Sequence, residues 1–283
     1  MTRDAPPTAK RRNGRPREAT PAPHRPRKGA SRVADIPADV LAALQAGTLS
    51  TATLAEGLAI DQTALLYATH PGLPADAMAR ARASGAVSIL QRMRAMAELL
   101  LTQYGPAHAE VCRHHASDTV RGWACFIIGA QPGLSTRARL AAIQPLADDP
   151  HFGVREWAWL AVRPALAADL DTAIARLADW TASPSERIRR FASEALRPRG
   201  VWCAHLPALK QAPQRALPIL EPLRADSSPY VQDSVGNWLN DAAKDAPDWV
   251  RERCRLWRLA SPTAATERIC RRGERLLSTP EMP

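Results

Sequence analysis

A segment of ten residues that recurs along the chain constrains the fold more than any other feature of the sequence. Four copies begin at Val120, Val154, Ile188 and Val231, and a weaker fifth copy begins at Ile269. The successive spacings are 34, 34, 43 and 38 residues. Within each copy, apolar residues recur at the three- and four-residue spacing of an amphipathic helix. The sequence therefore contains a repeated helical unit.

A second amphipathic segment lies between successive copies, at residues 137–147, 171–182 and 215–224. The sequence has no run of alternating β-branched residues and no Asn-Gly hairpin signal. Two helices in a unit of this length are typical of HEAT-like repeats, whose apolar faces are buried only when neighbouring units stack. We therefore predict an all-α fold, a HEAT-like repeat α-solenoid of stacked antiparallel helix pairs, over residues 33–283.

The first 32 residues differ from the rest in composition. They hold ten Lys/Arg, two Asp/Glu and six prolines, so most of the formal net charge of +10 belongs to this segment. Because proline and like charge oppose a packed structure, residues 1–32 are predicted to be a disordered basic arm. The run Gly14-Arg15-Pro16 is flanked by arginines and resembles an AT-hook, which enters the DNA minor groove. A generic tail attracted to nucleic acid is the alternative.

Several classes of protein are excluded by missing motifs. The five cysteines form no CxxC pair, and no phosphate-binding or serine-hydrolase motif is present. His114, His115 and Asp118 suggest a metal, but no second cluster completes a site. Neither a metal site nor a cofactor is therefore predicted. The longest uncharged apolar stretch, residues 123–133, is too short to cross a bilayer.

The helical phase of the copies predicts which side chains are exposed. When the first residue of each copy is position 0, positions 0, 3, 4, 7 and 8 are largely apolar and form a buried stripe. Positions 2, 6 and 9 fall opposite and are predicted to form one exposed ridge on the concave face. The polar members of this ridge are Glu156, Arg163, Arg190, Glu194, Arg197, Asp233, Asn237 and Asn240. The alternative is a solvated surface with ion pairs inside each helix.

The tryptophans are confined to one part of the chain, from Trp123 to Trp257. Trp157 falls at position 3, which favours the core, whereas Trp159 falls off the stripe and Trp202 follows an arginine-rich loop. A tryptophan beside arginines suits stacking on a base or a sugar. The candidates for base or sugar contact are therefore Trp157, Trp159 and Trp202, with packing between repeats as the alternative.

Three runs of residues carry a resemblance to a known family. They are residues 151–160 (HFGVREWAWL), residues 190–199 (RFASEALRPR) followed by Trp202, and residues 230–245 (YVQDSVGNWLNDAAKD). Together they resemble the AlkC branch of the AlkC/AlkD-type DNA alkylation repair glycosylases, over about residues 86–277. The resemblance implies a solenoid that holds damaged duplex DNA in its concave face. Some relatives carry a C-terminal immunoglobulin-like domain, which is not expected here.

The implied activity is excision of N3- or N7-alkylated purines such as 3-methyladenine, in base excision repair. An alkylated purine carries a positive charge that weakens its glycosidic bond. A carboxylate that stabilises an oxocarbenium-like sugar and assists water therefore supplies most of the required catalysis. Glu156 is the first candidate for this carboxylate, and Glu194 and Asp233 are its neighbours on the predicted ridge. The candidates for DNA binding are Arg163, Arg190, Arg197, Arg199, Asn237, Asn240 and Lys244.

The partner implied by the resemblance is double-stranded DNA with alkylated bases. The protein is expected to be a monomer of the bacterial cytoplasm, associated with the nucleoid and not with a membrane. Two other functions stay open: a HEAT-repeat scaffold that binds DNA without catalysis, and a solenoid that binds another protein. Salt-sensitive binding of duplex DNA separates the last from the other two. Release of a free base separates the glycosylase from the scaffold.

Overall fold

The computed structural model describes residues 27–200 and 202–277, which contain sixteen α-helices and no strand. Six helices precede the first copy of the repeat: α1 Ala38–Gln45, α2 Leu54–Ala59, α3 Gln62–Thr69, α4 Ala75–Ala83, α5 Ile89–Tyr104 and α6 His108–Arg113. Residues 1–26, most of the predicted arm, lie outside the described residues, so the domain boundary at residue 32 stays a prediction. Within residues 27–32, Arg27 forms a 2.6 Å ion pair with the buried Glu56 of α2.

The five copies of the repeat form five helices, here called the repeat helices. They are α7 Asp118–Ala130, α9 Phe152–Ala168, α11 Glu186–Glu194, α14 Pro229–Ala242 and α16 Ala264–Gly273. The helices between them, here called the linking helices, are α8 Thr136–Ala147, α10 Leu170–Trp180, α12 Pro207–Gln211, α13 Leu217–Leu220 and α15 Pro247–Ala260. Successive repeat helices pack against one another, and the linking helices pack beside them. The predicted all-α, HEAT-like architecture is confirmed.

The third linking segment differs from the sequence prediction. Residues 137–147 and 171–182 form α8 and α10, but residues 215–224 do not form one helix. A 3-10 turn covers Pro213–Ala216, and α13 has only four residues. Pro218 and Pro222 explain the interruption, because proline has no N–H to donate to the helical ladder.

An arginine at position 1 of the first three copies fixes each repeat helix to the turn before it. Arg121, Arg155 and Arg189 donate through Nη1 to the carbonyl oxygens six and five residues earlier, at 2.9–3.1 Å. Arg121 also pairs with Asp149 at 2.9 Å, and Arg189 with Asp226 at 2.7 Å. Both aspartates lie in the turn before the next repeat helix. The Val-Arg and Ile-Arg dipeptides at the repeat period are therefore a structural signal.

The predicted exposed ridge is wrong. The stripe at positions 0, 3, 4, 7 and 8 is buried as expected, but most side chains at positions 2, 6 and 9 are buried too. Arg163 is 2% exposed and Glu194 is 4% exposed. The three middle repeat helices, α9, α11 and α14, each pack between a preceding and a following repeat helix as well as against linking helices. One helix therefore carries more than one buried face.

Two glycines on α7 allow α9 to approach closely. A Cβ atom at Gly122 would lie 2.7 Å from the ring of Trp157, and a Cβ at Gly129 would lie 2.5 Å from the carbonyl oxygen of Ala161. Gly122 occupies the position that Glu156 occupies in the next copy. The absence of an acid from the first copy is therefore a packing requirement. In residues 27–200 and 202–277, no helix combines the length and apolar character of a membrane span.

Candidate functional site

A narrow cleft lies where the N-terminal helices meet the first two repeat helices. Its walls include Asp118, Trp157 and residues of the loop before α2, and its rim includes Phe152 and Trp202. The free volume is about 40 Å³, which holds water but not a larger ligand. The rim is open, because Phe152 is 40% exposed and Trp202 is 53% exposed. A larger ligand at this place would therefore contact the two aromatic rings of the rim.

Trp202 has the most unusual backbone in the described part of the chain. Its φ is +61°, and it is the one residue other than glycine with a positive φ among those described. A non-glycine residue in this region costs about 1–3 kcal/mol, a strain that clusters at functional sites. Burial of the ring does not compensate this cost, because more than half of the side chain is exposed. The strained, exposed ring suits the base or sugar contact expected for Trp202, and this role stays a prediction.

The other two tryptophan candidates are placed differently. Trp157 is half-buried in the cleft wall, with its ring 5.9 Å from the ring of Phe126. Trp159 is buried, and its Nε1–H donates to Glu156 at 2.8 Å. A buried ring cannot stack on a base from solvent, so this contact favours a positioning role for Trp159.

Glu156 is accessible to solvent, with 38% of its side chain exposed. Of the three carboxylates predicted to be catalytic, two are accessible in this way. The Oε2 of Glu156 accepts from Trp159, and its Oε1 pairs with Arg190 of α11 at 2.7 Å. The guanidinium of Arg190 also lies 5.0 Å from the centroid of the Tyr230 ring. The carboxylate of Glu156 is thus held in place by two neighbours while it remains open to solvent.

Glu194 lies inside a buried polar network. It pairs with Arg197 at 2.8 Å and with Arg190 at 3.5 Å, and it accepts from Ser234 at 2.7 Å. Burial acts to raise the pKa of Glu194, but the two guanidinium groups outweigh it and hold this pKa below its usual value. Arg197 in turn pairs with Asp241 at 2.8 Å. These contacts favour a structural role for both Glu194 and Arg197.

Asp233 on α14 is half-exposed, and its negative charge is balanced by two arginines of the next repeat helix. It pairs with Arg268 at 2.8 Å and with Arg272 at 3.1 Å, both on α16. Arg272 also donates to Asn237 at 2.8 Å. Asn240 is buried, and its Oδ1 has no hydrogen-bond partner in the described residues. Of the predicted acids, Glu156 therefore remains the best candidate for catalysis.

The remaining predicted DNA-binding residues divide into buried and exposed sets. Arg163 donates to the carbonyl oxygens of Ala195 at 2.7 Å and Arg197 at 2.6 Å, so it closes the end of α11. Arg199 is more accessible and pairs with Asp245 at 2.8 Å. Lys244 is exposed. Only the last two are placed to reach a phosphate without rearrangement of the repeats.

Three arginines that the repeat pattern does not reveal lie before the first copy. Arg82, Arg92 and Arg94 have no acidic partner within the described residues. Arg82 and Arg92 line a groove of about 820 Å³ that shares Leu58 and Gln62 with the aromatic cleft. The Nε of Arg92 is buried without a hydrogen-bond partner. The repeat pattern cannot reveal these residues, because they precede the repeats.

A polar cluster closes the inner end of the cleft. The buried Asp118 accepts from the backbone N–H and the hydroxyl of Thr51, both at 2.8 Å. Nε2 of His151 donates to the carbonyl oxygen of Thr51 at 2.6 Å, and its Nδ1 accepts from Gly153 at 3.1 Å. The cluster joins the loop before α2 to both α7 and α9. Asp118 is thus separate from His114, which pairs with Glu110.

Comparison with known proteins agrees with this architecture. Residues 144–253 match a family model described as DNA alkylation repair enzyme. The uncharacterized protein YhaZ of Bacillus subtilis (strain 168) is 46% identical over 97 residues, which are 34% of this chain and 27% of that protein. The chain thus aligns with about a quarter of that relative's length.

Two solved structures resemble about three quarters of this chain. Pseudomonas fluorescens alkylpurine DNA glycosylase AlkC, bound to DNA containing an abasic site analog, matches with a TM-score of 0.61 and 28% identity. The match covers 76% of this chain and 60% of that chain. AlkD2 from Streptococcus mutans matches with a TM-score of 0.56 and 21% identity, over 72% of this chain and 98% of that chain.

The stacked helix pairs and the aromatic cleft define a HEAT-like repeat protein with a candidate site beside its first two repeat helices. Within this class, residues 144–253 match the DNA alkylation repair family, and the AlkC glycosylase has a similar fold over most of the chain. These matches confirm the resemblance that the three sequence runs predicted.

Proposed function

We propose that this protein is a DNA glycosylase that excises N3- or N7-alkylated purines, such as 3-methyladenine, from duplex DNA in base excision repair. The observation that carries the proposal is Trp202, an exposed aromatic ring held in a strained backbone at the rim of a cleft. An exposed indole is suited to stacking on a base or a sugar. The AlkC structure, which contains an abasic site analog, supports DNA as the partner.

The proposed reaction needs no cofactor. The bond between C1′ of the sugar and the purine nitrogen breaks, and its electron pair moves to the purine and cancels the ring's positive charge. A water molecule adds to C1′ and gives up a proton, which Glu156 accepts and passes to solvent. The negative charge of Glu156 stabilises the oxocarbenium-like sugar before water adds. Trp159 and Arg190 keep the carboxylate oriented through the two contacts described above.

The proposed DNA track joins two sets of cations. Arg82 and Arg92 line the groove beside the aromatic cleft, and Arg94 lies on the same helix as Arg92. Arg199 and Lys244 belong to the third and fourth repeats. Cationic side chains that lack an acidic partner bind phosphate without first breaking an ion pair. The predicted AT-hook-like run in residues 1–26, outside the described residues, is proposed to add affinity without selecting the lesion. We also propose that the protein acts as a monomer in the bacterial cytoplasm, at the nucleoid.

The test is the release of free 3-methyladenine from methylated duplex DNA, measured under single-turnover conditions with the full chain. Release well above the spontaneous rate is the expected result. Tight, salt-sensitive binding of the same duplex without base release would overturn the glycosylase proposal. It would instead favour a scaffold that binds DNA without catalysis. One observation favours that second function: both carboxylate oxygens of Glu156 already have partners within the protein.

A further inference from the structure

Three side chains with metal-binding atoms converge between the N-terminal helices and the first repeat. They are His70, which ends α3, and His108 and Cys112, which lie four residues apart on α6. One ring nitrogen of each histidine and the Cys112 Sγ all lie within 4.8 Å of one another. The two Nε2 atoms are 2.9 Å apart. Two imidazoles and a thiol at this separation match the ligand set of a tetrahedral zinc site.

The hydrogen bonds around His70 fix which of its nitrogens carries the proton. The hydroxyl of Thr69 donates to the carbonyl oxygen of Leu65 at 2.8 Å, so its single proton is already used. The 2.8 Å contact between Thr69 Oγ1 and His70 Nδ1 therefore requires Nδ1–H of His70 to be the donor. Nε2 of His70 then carries a lone pair, and it points toward His108. A metal-bound histidine is typically oriented in this way, with its other nitrogen donating to an oxygen.

The remaining two ligands are also held in place. The Tyr104 ring stacks on the His108 ring with centroids 4.5 Å apart, which limits rotation of the imidazole. Cys112 is 1% exposed, and its thiol has no hydrogen-bond partner within the described residues.

We propose that His70, His108 and Cys112 form a zinc site that joins α3 to α6. Zinc binding forms two Zn–N bonds and one Zn–S bond, and the Cys112 thiol releases its proton to solvent. A water molecule completes the tetrahedron. The site stabilises the contact between α3 and α6, and it takes no part in the proposed base excision. The sequence pattern that signals it is the i, i+4 pair His108 and Cys112, because these two side chains share one face of a helix.

The test uses the full chain, stripped with a chelator and titrated with Zn²⁺ and, as a spectroscopic probe, with Co²⁺. We expect about one Zn²⁺ bound per chain, and a thiolate-to-cobalt charge-transfer band with the visible spectrum of tetrahedral Co²⁺. Cys112→Ser should abolish the charge-transfer band. Cys203→Ser, at a half-buried cysteine outside the cluster, is the matched control and should keep both the band and the stoichiometry.

A second variant tests the orientation of His70. It also keeps the proposal testable if Cys112→Ser fails to fold. Thr69→Val keeps the shape of the side chain but removes the oxygen that accepts from His70, so zinc affinity should fall by about 10–100-fold. Circular dichroism reports whether each variant is folded. A folded parent protein that binds no Zn²⁺ and shows no cobalt–thiolate band would overturn the site. Unchanged Zn²⁺ binding in Cys112→Ser would also overturn the site. The contact between His70 and His108 would then be a simple hydrogen bond.

Discussion

The carboxylate of Glu156 on α9 and the guanidinium of Arg190 on α11 form a 2.7 Å ion pair that joins two successive repeat helices. Arg190 is itself buried and also approaches Glu194, so it serves two carboxylates at once. Glu156 remains the more exposed of those two acids. The pair therefore anchors a charged, solvent-accessible carboxylate in a fixed orientation, which is the property that electrostatic catalysis requires.

Replacing Glu156 with Gln tests whether its charge is catalytic. Gln keeps the shape and can still accept from Trp159, but it loses the negative charge that the proposed mechanism places beside the sugar. Single-turnover release of 3-methyladenine should slow by about 10²- to 10³-fold, the cost of losing one electrostatic stabiliser. Glu252→Gln, on the exposed face of α15, is the control and should leave the rate unchanged. A lower melting temperature with an intact rate would instead make Glu156 structural.

Two substitutions of Trp202 separate its strain from its function. Trp202→Gly and Trp202→Ala both remove the ring, but only glycine accepts a φ of +61° without strain. Chemical denaturation should show the Gly variant to be more stable than the Ala variant by about 1 kcal/mol. Base release should fall in both variants, because neither can stack on the DNA. Equal stability of the two would show that this loop relaxes, and full activity in both would remove Trp202 from the site.

The repeat made the architecture predictable from the sequence. The Val-Arg and Ile-Arg dipeptides locate the first three repeat helices, and the helical period locates the apolar stripe correctly. The exposed side was not predictable in the same way. Arg163 and Glu194 are polar at positions opposite the stripe, yet they are buried because a further repeat helix covers them. The pattern of polar residues does not show whether a charged side chain is exposed to solvent or buried in an ion pair.

The candidate site depends on contacts between distant parts of the chain. Trp202 was identified because it follows an arginine-rich loop, whereas its strained backbone is visible only in the structure. Arg92 and Arg94 precede the repeats, so no phase assignment covers them. The proposed zinc site joins His70 to His108, 38 positions later, and the spacing of His108 and Cys112 does not reveal His70 as the third ligand. These features depend on how the N-terminal helices pack on the repeats.

Removing Arg92 or Arg94 tests the DNA track before the first repeat. Neither side chain has an acidic partner in the described residues, so Ala at either position should cost little stability. Binding to undamaged duplex should weaken, and the slope of log affinity against log salt should fall by about one for each phosphate that the variant no longer neutralises. Arg255→Ala, which removes the exposed partner of Glu252, is the control. An unchanged salt slope in both test variants would place the DNA elsewhere.

The ion pair between Arg27 and Glu56 predicts a loss of stability in acid. The guanidinium of Arg27 holds the pKa of Glu56 at about 2, below its ordinary value of 4.5. Because the folded state lowers this pKa, the stabilisation is complete above about pH 4.5 and is lost as the pH falls toward 2. Denaturant titrations across this range should show a smaller decrease for Glu56→Gln than for the parent protein. Parallel decreases would mean that the pair contributes nothing.

Replacing Arg197 tests whether the buried network is structural. Arg197 pairs with Glu194 and Asp241, which are both buried, so Arg197→Met removes the ion-pair partner of Asp241 and leaves Glu194 with Arg190 alone. Breaking a buried ion pair from one side costs about 3–5 kcal/mol, and the free energy of unfolding should fall by this amount. Arg199→Met is the matched control two residues away, because its pair with Asp245 is more exposed.

The control should lose about 0–1 kcal/mol, as is usual for an exposed pair. Duplex binding is then compared at a temperature where both variants are folded. Arg199→Met should weaken binding, since this side chain can reach a phosphate by releasing Asp245. Arg197→Met should not weaken binding, because the guanidinium that it removes is enclosed by the repeats. The opposite result, with a stable Arg197→Met protein that fails to bind DNA, would return Arg197 to the DNA interface and make the buried network a secondary feature.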